Sequence, residues 1–371
     1  MHPEKLPVAG SVGLWLRERE DMEKRIAKWD NIKFVLIYLV VLGHIINPYT
    51  GKDGSESMNQ MYMFIWTFHM PAFIFISGLF SKKTIDNKKY DKMFSFLILY
   101  FVIKFLVALA DFLSGSTGEF SVLSEYGVPW YAFVMFVYYL LTVVTSKYSK
   151  IYVMVASIVL SMFVGFDSEV RDWLMLSRII VFYPFFYAGY IIDKDKLLEF
   201  TRKKWVKVLG IIVFAIFIWV IYSNIDYVYK YRPLVSGRNG YKYFVKGDLA
   251  FSNVKFGFHM VLSTLPGLFY KIAYYVIVAV ICVALFALVP ERRIPFISKI
   301  GANTLSIYAI HEAVVIMLFD SFDLNIYLEK MMPGHFRMLY LVVALIITCI
   351  LSLPVFGKII NVLIHPKKIK D

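Results

Sequence analysis

Apolar residues in this chain gather into long runs, and polar residues gather into short bunches between them. Ten runs stand out, at about 31–47, 60–80, 93–113, 130–146, 151–166, 173–192, 208–223, 268–289, 300–319 and 337–360. Each is close to the roughly 20 apolar residues that a helix needs to cross a bilayer. Helices and closed barrels are the structures that satisfy every backbone polar group within hydrocarbon. The pattern predicts an all-α polytopic membrane bundle of about ten transmembrane helices. The first run stops at Asn47-Pro48, and Pro71 is expected to kink the second, freeing a backbone carbonyl beside His69. Residues 224–267, rich in aromatics and glycine, read as the longest loop. Val12–Ile26 fits an interfacial amphipathic helix and a solvated tail equally well.

Composition agrees with this pattern. The chain is 59% hydrophobic and 18% charged, with a mean hydropathy of +0.63, against about 25% charged residues in soluble domains. The net charge of +13 does not point to nucleic acid, because the lysines and arginines fall on alternate loops. They crowd the N-terminal tail, 81–92, 147–150, 193–207, 291–299 and the C-terminal tail. The positive-inside rule then places both termini in the cytoplasm. The chain divides into a basic cytoplasmic tail at 1–28, a membrane domain at 29–363 and a second basic tail at 364–371. No cleavable signal is expected, since residues 1–28 are polar and many spans follow. Cys282 and Cys349 both lie inside apolar runs and make neither a disulfide framework nor a metal site.

Ionisable residues within hydrocarbon are costly, so each is a functional candidate. Lys33 and His44 are eleven residues apart. On a helix that is three circles plus about 20°, which puts both on one face, about 16 Å apart along the axis. Asp30 shares that side with Lys33. His69 and His311-Glu312 are also deep in their spans. Imidazole suits general-base work near neutral pH. An intramembrane histidine also serves as a hydrogen-bonding link between helices, and for His69 and His311 that reading is at least as strong. Lys89 and Lys92, three apart, present two ammonium groups to one spot and suit a polyphosphate. The positive-inside bias accounts for them as well. Lys104 is expected to pair with Asp111 or to line a path. Arg178 suits a sugar or a carboxylate, and snorkelling explains it almost as well. No nucleotide-binding loop, zinc-protease motif, serine-hydrolase elbow or metal cluster has a supporting context.

These residues resemble the acyltransferase 3 family of integral-membrane acyltransferases, in its branch of sugar and polysaccharide O-acetyltransferases. Four stretches carry the likeness. They are Trp29–Lys33 with Val41–His44, Phe68-His69-Met70-Pro71 through Ser77-Gly78, Arg178 with Tyr183–Tyr190, and Ile300–His311. The likeness covers about Lys28 to Leu363. The family often has arginine where this chain has Lys33, Lys89 and Lys92; lysine keeps the charge and loses the bidentate fork. The resemblance implies an acyl group, usually acetyl, moved from acetyl-CoA to a hydroxyl of an extracytoplasmic glycan or lipid-linked sugar, in the plasma membrane. His44 would be catalytic, as general base or transient acyl acceptor. Lys33, Lys89 and Lys92 would bind the donor. His69, Arg178, His311 and Glu312 would line the acceptor side. Acyl-CoA is then a substrate, and no resident cofactor or metal is expected. No hydrolase-like domain follows the tenth span, so the membrane unit is expected to complete the transfer itself or with a separate partner. The rival class is a multi-spanning transporter or flippase, which usually shows duplicated halves and paired broken helices; neither is visible in this sequence. A sensor that has lost catalysis is a third reading, and the retained His44 argues against it.

Overall fold

The computed structural model describes residues 9–52, 54–115, 127–166, 173–238, 240–241 and 258–365, with the backbone alone over 9–26 and 258–265. Helices account for its secondary structure, and no strand occurs among the described residues. They are α1 Ala9–Ile46, α2 Glu56–Asp86, α3 Tyr90–Leu113, α4 Trp130–Thr145, α5 Lys150–Phe163 and α6 Leu176–Ile191. The short α7 Lys194–Arg202 leads into α8 Lys204–Ser223, followed by the single turns α9 Ile225–Val228 and α10 Arg232–Val235. The remainder is α11 Phe258–Leu288, α12 Pro295–Ala302, α13 Thr304–Ile316, α14 Leu324–Met331, α15 Leu339–Leu351 and α16 Pro354–Ile364.

Six segments are long and apolar enough to cross a membrane: 27–49 in α1, all of α2, α3 and α8, 266–288 in α11, and α13 with its extension to Ser321. Shorter apolar helices, α4, α5, α6 and α16, fill the gaps. A 16-residue helix such as α4 rises about 24 Å, somewhat less than the roughly 30 Å of a hydrocarbon core. The protein is a polytopic all-α membrane bundle.

Several expected boundaries need correction. The tenth run, read as one span over 337–360, is two helices interrupted before Pro354. Proline lacks the N–H that would continue α15, and its ring clashes with the carbonyl four residues earlier. α15 is also bent by 114° against α14. The ninth run breaks at Asn303, between α12 and α13. The expected loop at 224–267 holds α9 and α10, and α11 begins at Phe258 rather than 268; its residues 242–257 lie outside the described residues. Val12–Ile26 is continuous with the first span inside α1, its side chains outside the described residues, as are 1–8 and 366–371 of the two tails. Pro71 sits inside an unbroken α2.

Glycines set how closely the helices approach. A Cβ on Gly78 would lie 2.0 Å from the carbonyl oxygen of Phe186, and one on Gly189 would lie 2.1 Å from that of Phe75. α2 and α6 therefore touch backbone to backbone. Small residues permit such contact where lipid, being as apolar as leucine, gives little hydrophobic drive between helices. α1 and α12 meet in the same way, with Gly301 against the Asp30 carbonyl.

One end of the bundle is tied by charge. Lys28, only 1% exposed, donates to Glu291 Oε1 at 3.1 Å and to Thr201 Oγ1 at 3.2 Å. Arg202 Nε donates to Glu291 Oε2 at 2.7 Å. Asn31 donates to the carbonyls of Pro290 and Arg292 and accepts from Ser298. These contacts pin α1 to α7 and to the turn between α11 and α12. Burial pushes the Glu291 carboxyl up, but its hydrogen bonds and charge pairs with Lys28 and Arg202 outweigh that and hold it below the usual range. A depressed carboxylate contributes stability above its unfolded value of about 4.3, and that contribution disappears as the pH falls through the lower folded value.

Glu291→Gln should cost about 3 kcal/mol by stranding the buried Lys28 ammonium, and it should flatten the loss of stability below about pH 4.3. Thermal unfolding in detergent across that pH range checks both. Gly78→Ala should force α2 from α6 at a cost of about 1–3 kcal/mol, seen as a lower apparent melting temperature in the same assay.

Candidate functional site

A cavity of about 290 Å³ lies among α1, α2, α4, α6, α10 and α13. On α1 it is lined by Ile37, Val40, His44 and Asn47, whose spacing marks one face of the helix. Lys33 continues that stripe, four residues before Ile37. It does not line the cavity; its ammonium is paired with Asp30 at 2.7 Å. The cavity thus begins on α1 one turn beyond Lys33. On α2 the lining face is Tyr62, Trp66, His69, Met70 and Phe73. Gly43 brings the two helices together there, since a Cβ on it would lie 2.7 Å from the Trp66 ring.

Three imidazoles and a carboxylate meet at this level. His44 Nδ1 is 3.6 Å from Glu312 Oε1, too long for a strong hydrogen bond. Glu312 is itself anchored, because its Oε2 accepts the Val128 N–H at 2.8 Å. Gly127 makes room for this: a Cβ there would lie 2.8 Å from Glu312 Oε1. Tyr308 secures the same junction, donating to the Val128 carbonyl at 2.7 Å and accepting the Ala132 N–H at 3.1 Å.

The His311 ring lies edge-on to His44, centroids 5.2 Å apart. Its Nδ1 donates to the carbonyls of Ile307 and Tyr308 at 3.0 and 2.9 Å. Carbonyls only accept, so this assigns the proton to Nδ1 and leaves a lone pair on Nε2. That Nε2 is buried, with no hydrogen-bond partner among the described residues. His69 is assigned in the same way by Nδ1 donation to Ile65 at 2.7 Å. Both residues use the i−4 carbonyl of their own helix to fix which nitrogen remains an acceptor.

Part of the cavity wall is cationic and aromatic. Arg178, buried, sits 4.7 Å above the Trp130 ring. Arg232 sits 4.6 Å above Tyr62, which stacks on Trp66 at 4.1 Å. Arg238 lines the same wall.

The structure therefore brings His44, His69, Arg178, His311 and Glu312 together. Lys89 and Lys92 are elsewhere, in an open depression at the start of α3 with Lys88, Tyr90, Asp91 and His365. Lys33 lines neither space. Lys104 is buried, with its ammonium 5.4 Å above Tyr100. Sequence reasoning missed Arg232, Arg238, Tyr62, Trp66 and Trp130. The run Tyr229-Lys230-Tyr231-Arg232-Pro233 carried a signal in its alternation of aromatic and basic residues, but it fell in a stretch read as plain loop.

The structure is a bundle of membrane helices around an imidazole–carboxylate pair, and comparison with known proteins gives its family. The family model described as an acyltransferase domain matches residues 26–356, so the chain belongs to the acyltransferase 3 family. It is similar to the nodulation protein NolL of Mesorhizobium japonicum, at 25% identity over 234 residues, which are 57% of this chain and 60% of that protein. The chain thus spans about 60% of the length of the curated relative that it matches. No solved structure matches it.

Glu312→Ala should leave the Val128 N–H without its partner and cost about 1–3 kcal/mol. Glu312→Gln, which keeps an acceptor there, should stay close to wild type. Thermal unfolding of both variants in detergent separates the anchoring of Glu312 from its charge.

Proposed function

We propose that this enzyme transfers an acyl group, acetyl by preference, from acyl-CoA to a hydroxyl of an envelope polysaccharide or lipid-linked sugar at the plasma membrane. The observation that carries this reading is His44 in the cavity wall with Glu312 behind it. Basic loops on alternate connections put both termini in the cytoplasm. The Asn47 end of α1 then faces outward, and the cavity is the acceptor chamber. Lys89 and Lys92, at the opposite ends of the helices, meet the CoA phosphates, with Lys33 next along the path. The pantetheine arm follows the α1 stripe past Ile37 toward His44.

In the transfer, a ring nitrogen of His44 takes the proton from the acceptor hydroxyl as the oxygen attacks the thioester carbonyl. The tetrahedral adduct collapses, the carbon–sulfur bond breaks, and the imidazolium returns its proton to the departing thiolate. Glu312 stabilises the imidazolium while it exists and holds the ring in place. Transient acylation of His44 itself gives the same products in two steps. His69 and Arg178 contact the acceptor.

The test uses the full chain in lipid nanodiscs with acetyl-CoA and envelope glycan. CoA release is read together with glycan acetylation by mass spectrometry. His44→Ala should lower transfer by about 10³-fold with membrane insertion intact. Glu312→Gln should lower kcat by about 10–100-fold and leave KM for acetyl-CoA nearly unchanged. Full transfer by His44→Ala would remove the histidine from the mechanism.

A further inference from the structure

The cavity lining says something about the acceptor. Arg178, Arg232 and Arg238 belong to it, and among the described residues no aspartate or glutamate does; Glu312 stands behind His44. Arg232 is the informative member. It is held in place by the Tyr62 face at 4.6 Å and by donation from Nη1 to the Tyr229 hydroxyl at 2.6 Å. Its Nη2 reaches Asn47 Oδ1 at 3.5 Å. These partners are neutral and use few of the five N–H donors of a guanidinium. Its charge therefore stays available to an anion, and its planar fork matches the paired oxygens of a carboxylate or phosphate.

An aromatic platform links that cation to the reacting group. Tyr62 and Trp66 stack with an interplanar angle of 14°. The Trp66 ring centroid lies 6.4 Å from His44 and 5.3 Å from His69. Aromatic faces are electron-rich, and the C–H face of a sugar ring packs well against them. Arg232 also reaches Asn47, three residues beyond His44 on the same stripe, so the cation sits about one helical turn from the imidazole.

We propose that the acceptor is an acidic glycan, bound so that a carboxylate or phosphate on or beside the acylated sugar is gripped by Arg232 while its hydroxyl faces His44. This rests on the acyl-transfer reading above and narrows its substrate class. Arg178 and Arg238 line the same cavity and add positive charge to it.

The test measures binding to the full-length His44→Ala protein in nanodiscs, where no turnover intervenes. One pair of probes is a galacturonate oligosaccharide and its carboxyl-reduced counterpart; the other is a phosphorylated mannose oligosaccharide and its dephosphorylated form. At low salt at least one acidic probe should bind about tenfold or more tighter than its neutral partner, a preference that shrinks as salt screens the pair. Which pair responds tells carboxylate from phosphate. Adding Arg232→Gln should bring the ratio to within about threefold, and Arg232→Lys should leave it intermediate. Equal binding of the acidic and neutral members of both pairs would overturn the proposal, as would a full preference retained in Arg232→Gln. CoA release by the wild-type enzyme, dependent on His44, reports on acyl transfer separately. Transfer to neutral glycans with no acidic preference defeats this inference alone, and absence of His44-dependent release defeats the acyl-transfer reading.

Discussion

The contact on which this structure depends is between backbones. At Gly78 and Gly189 a carbonyl oxygen of the neighbouring helix occupies the place a side chain would take. Such an approach is available only to glycine, and it holds α2 and α6 at a separation that no larger residue allows. Gly301 does the same for α12 against α1 at Asp30, and Gly43 admits the Trp66 ring. With these spacings set, the faces of α1, α2 and α6 that carry His44, His69 and Arg178 surround one space. The gain at each contact is dispersion between closely packed atoms, individually small and summed along the crossing.

The second constraint is that the polar groups beside the cavity are each anchored through one atom. His69 and His311 spend one nitrogen on a carbonyl of their own helix, which fixes the ring and keeps the other nitrogen an acceptor. Glu312 spends one oxygen on the Val128 N–H, at the point where the chain enters α4. The other oxygen is left facing His44. In a low-dielectric interior such anchoring costs little compared with an unpaired polar atom. It also fixes His69, in the cavity wall, and His311, beside His44, with the proton on Nδ1.

The two ends of the bundle are built differently. At the Lys28 end, charges answer one another: Lys28 and Arg202 both bond Glu291, and Lys33 bonds Asp30. In the cavity wall Arg178 lies against Trp130 and Arg232 against Tyr62. Paired charges fasten helices. The cavity arginines rest on aromatic rings instead.

Hydrophobic periodicity by itself determined the class of this molecule, because a backbone in lipid has almost no choice but the helix. It also singled out His44, since an ionisable group is conspicuous where nearly everything else is apolar. Helical spacing placed Lys33 and His44 on one stripe, and α1 keeps that register. What the sequence left undecided was which stripes face one another. The partnership of His44 with Glu312 joins residues on α1 and α13, far apart along the chain, and follows from glycine contacts that carry no periodic signature. The break at Pro354 and the early start of α11 at Phe258 were hidden for a related reason: runs of apolar residues look alike whether they form one helix or two. Arg232 escaped notice because its meaning comes from Tyr62, on another helix. A side chain's own chemistry is legible in one dimension, but the company it keeps is set by how the helices pack in three.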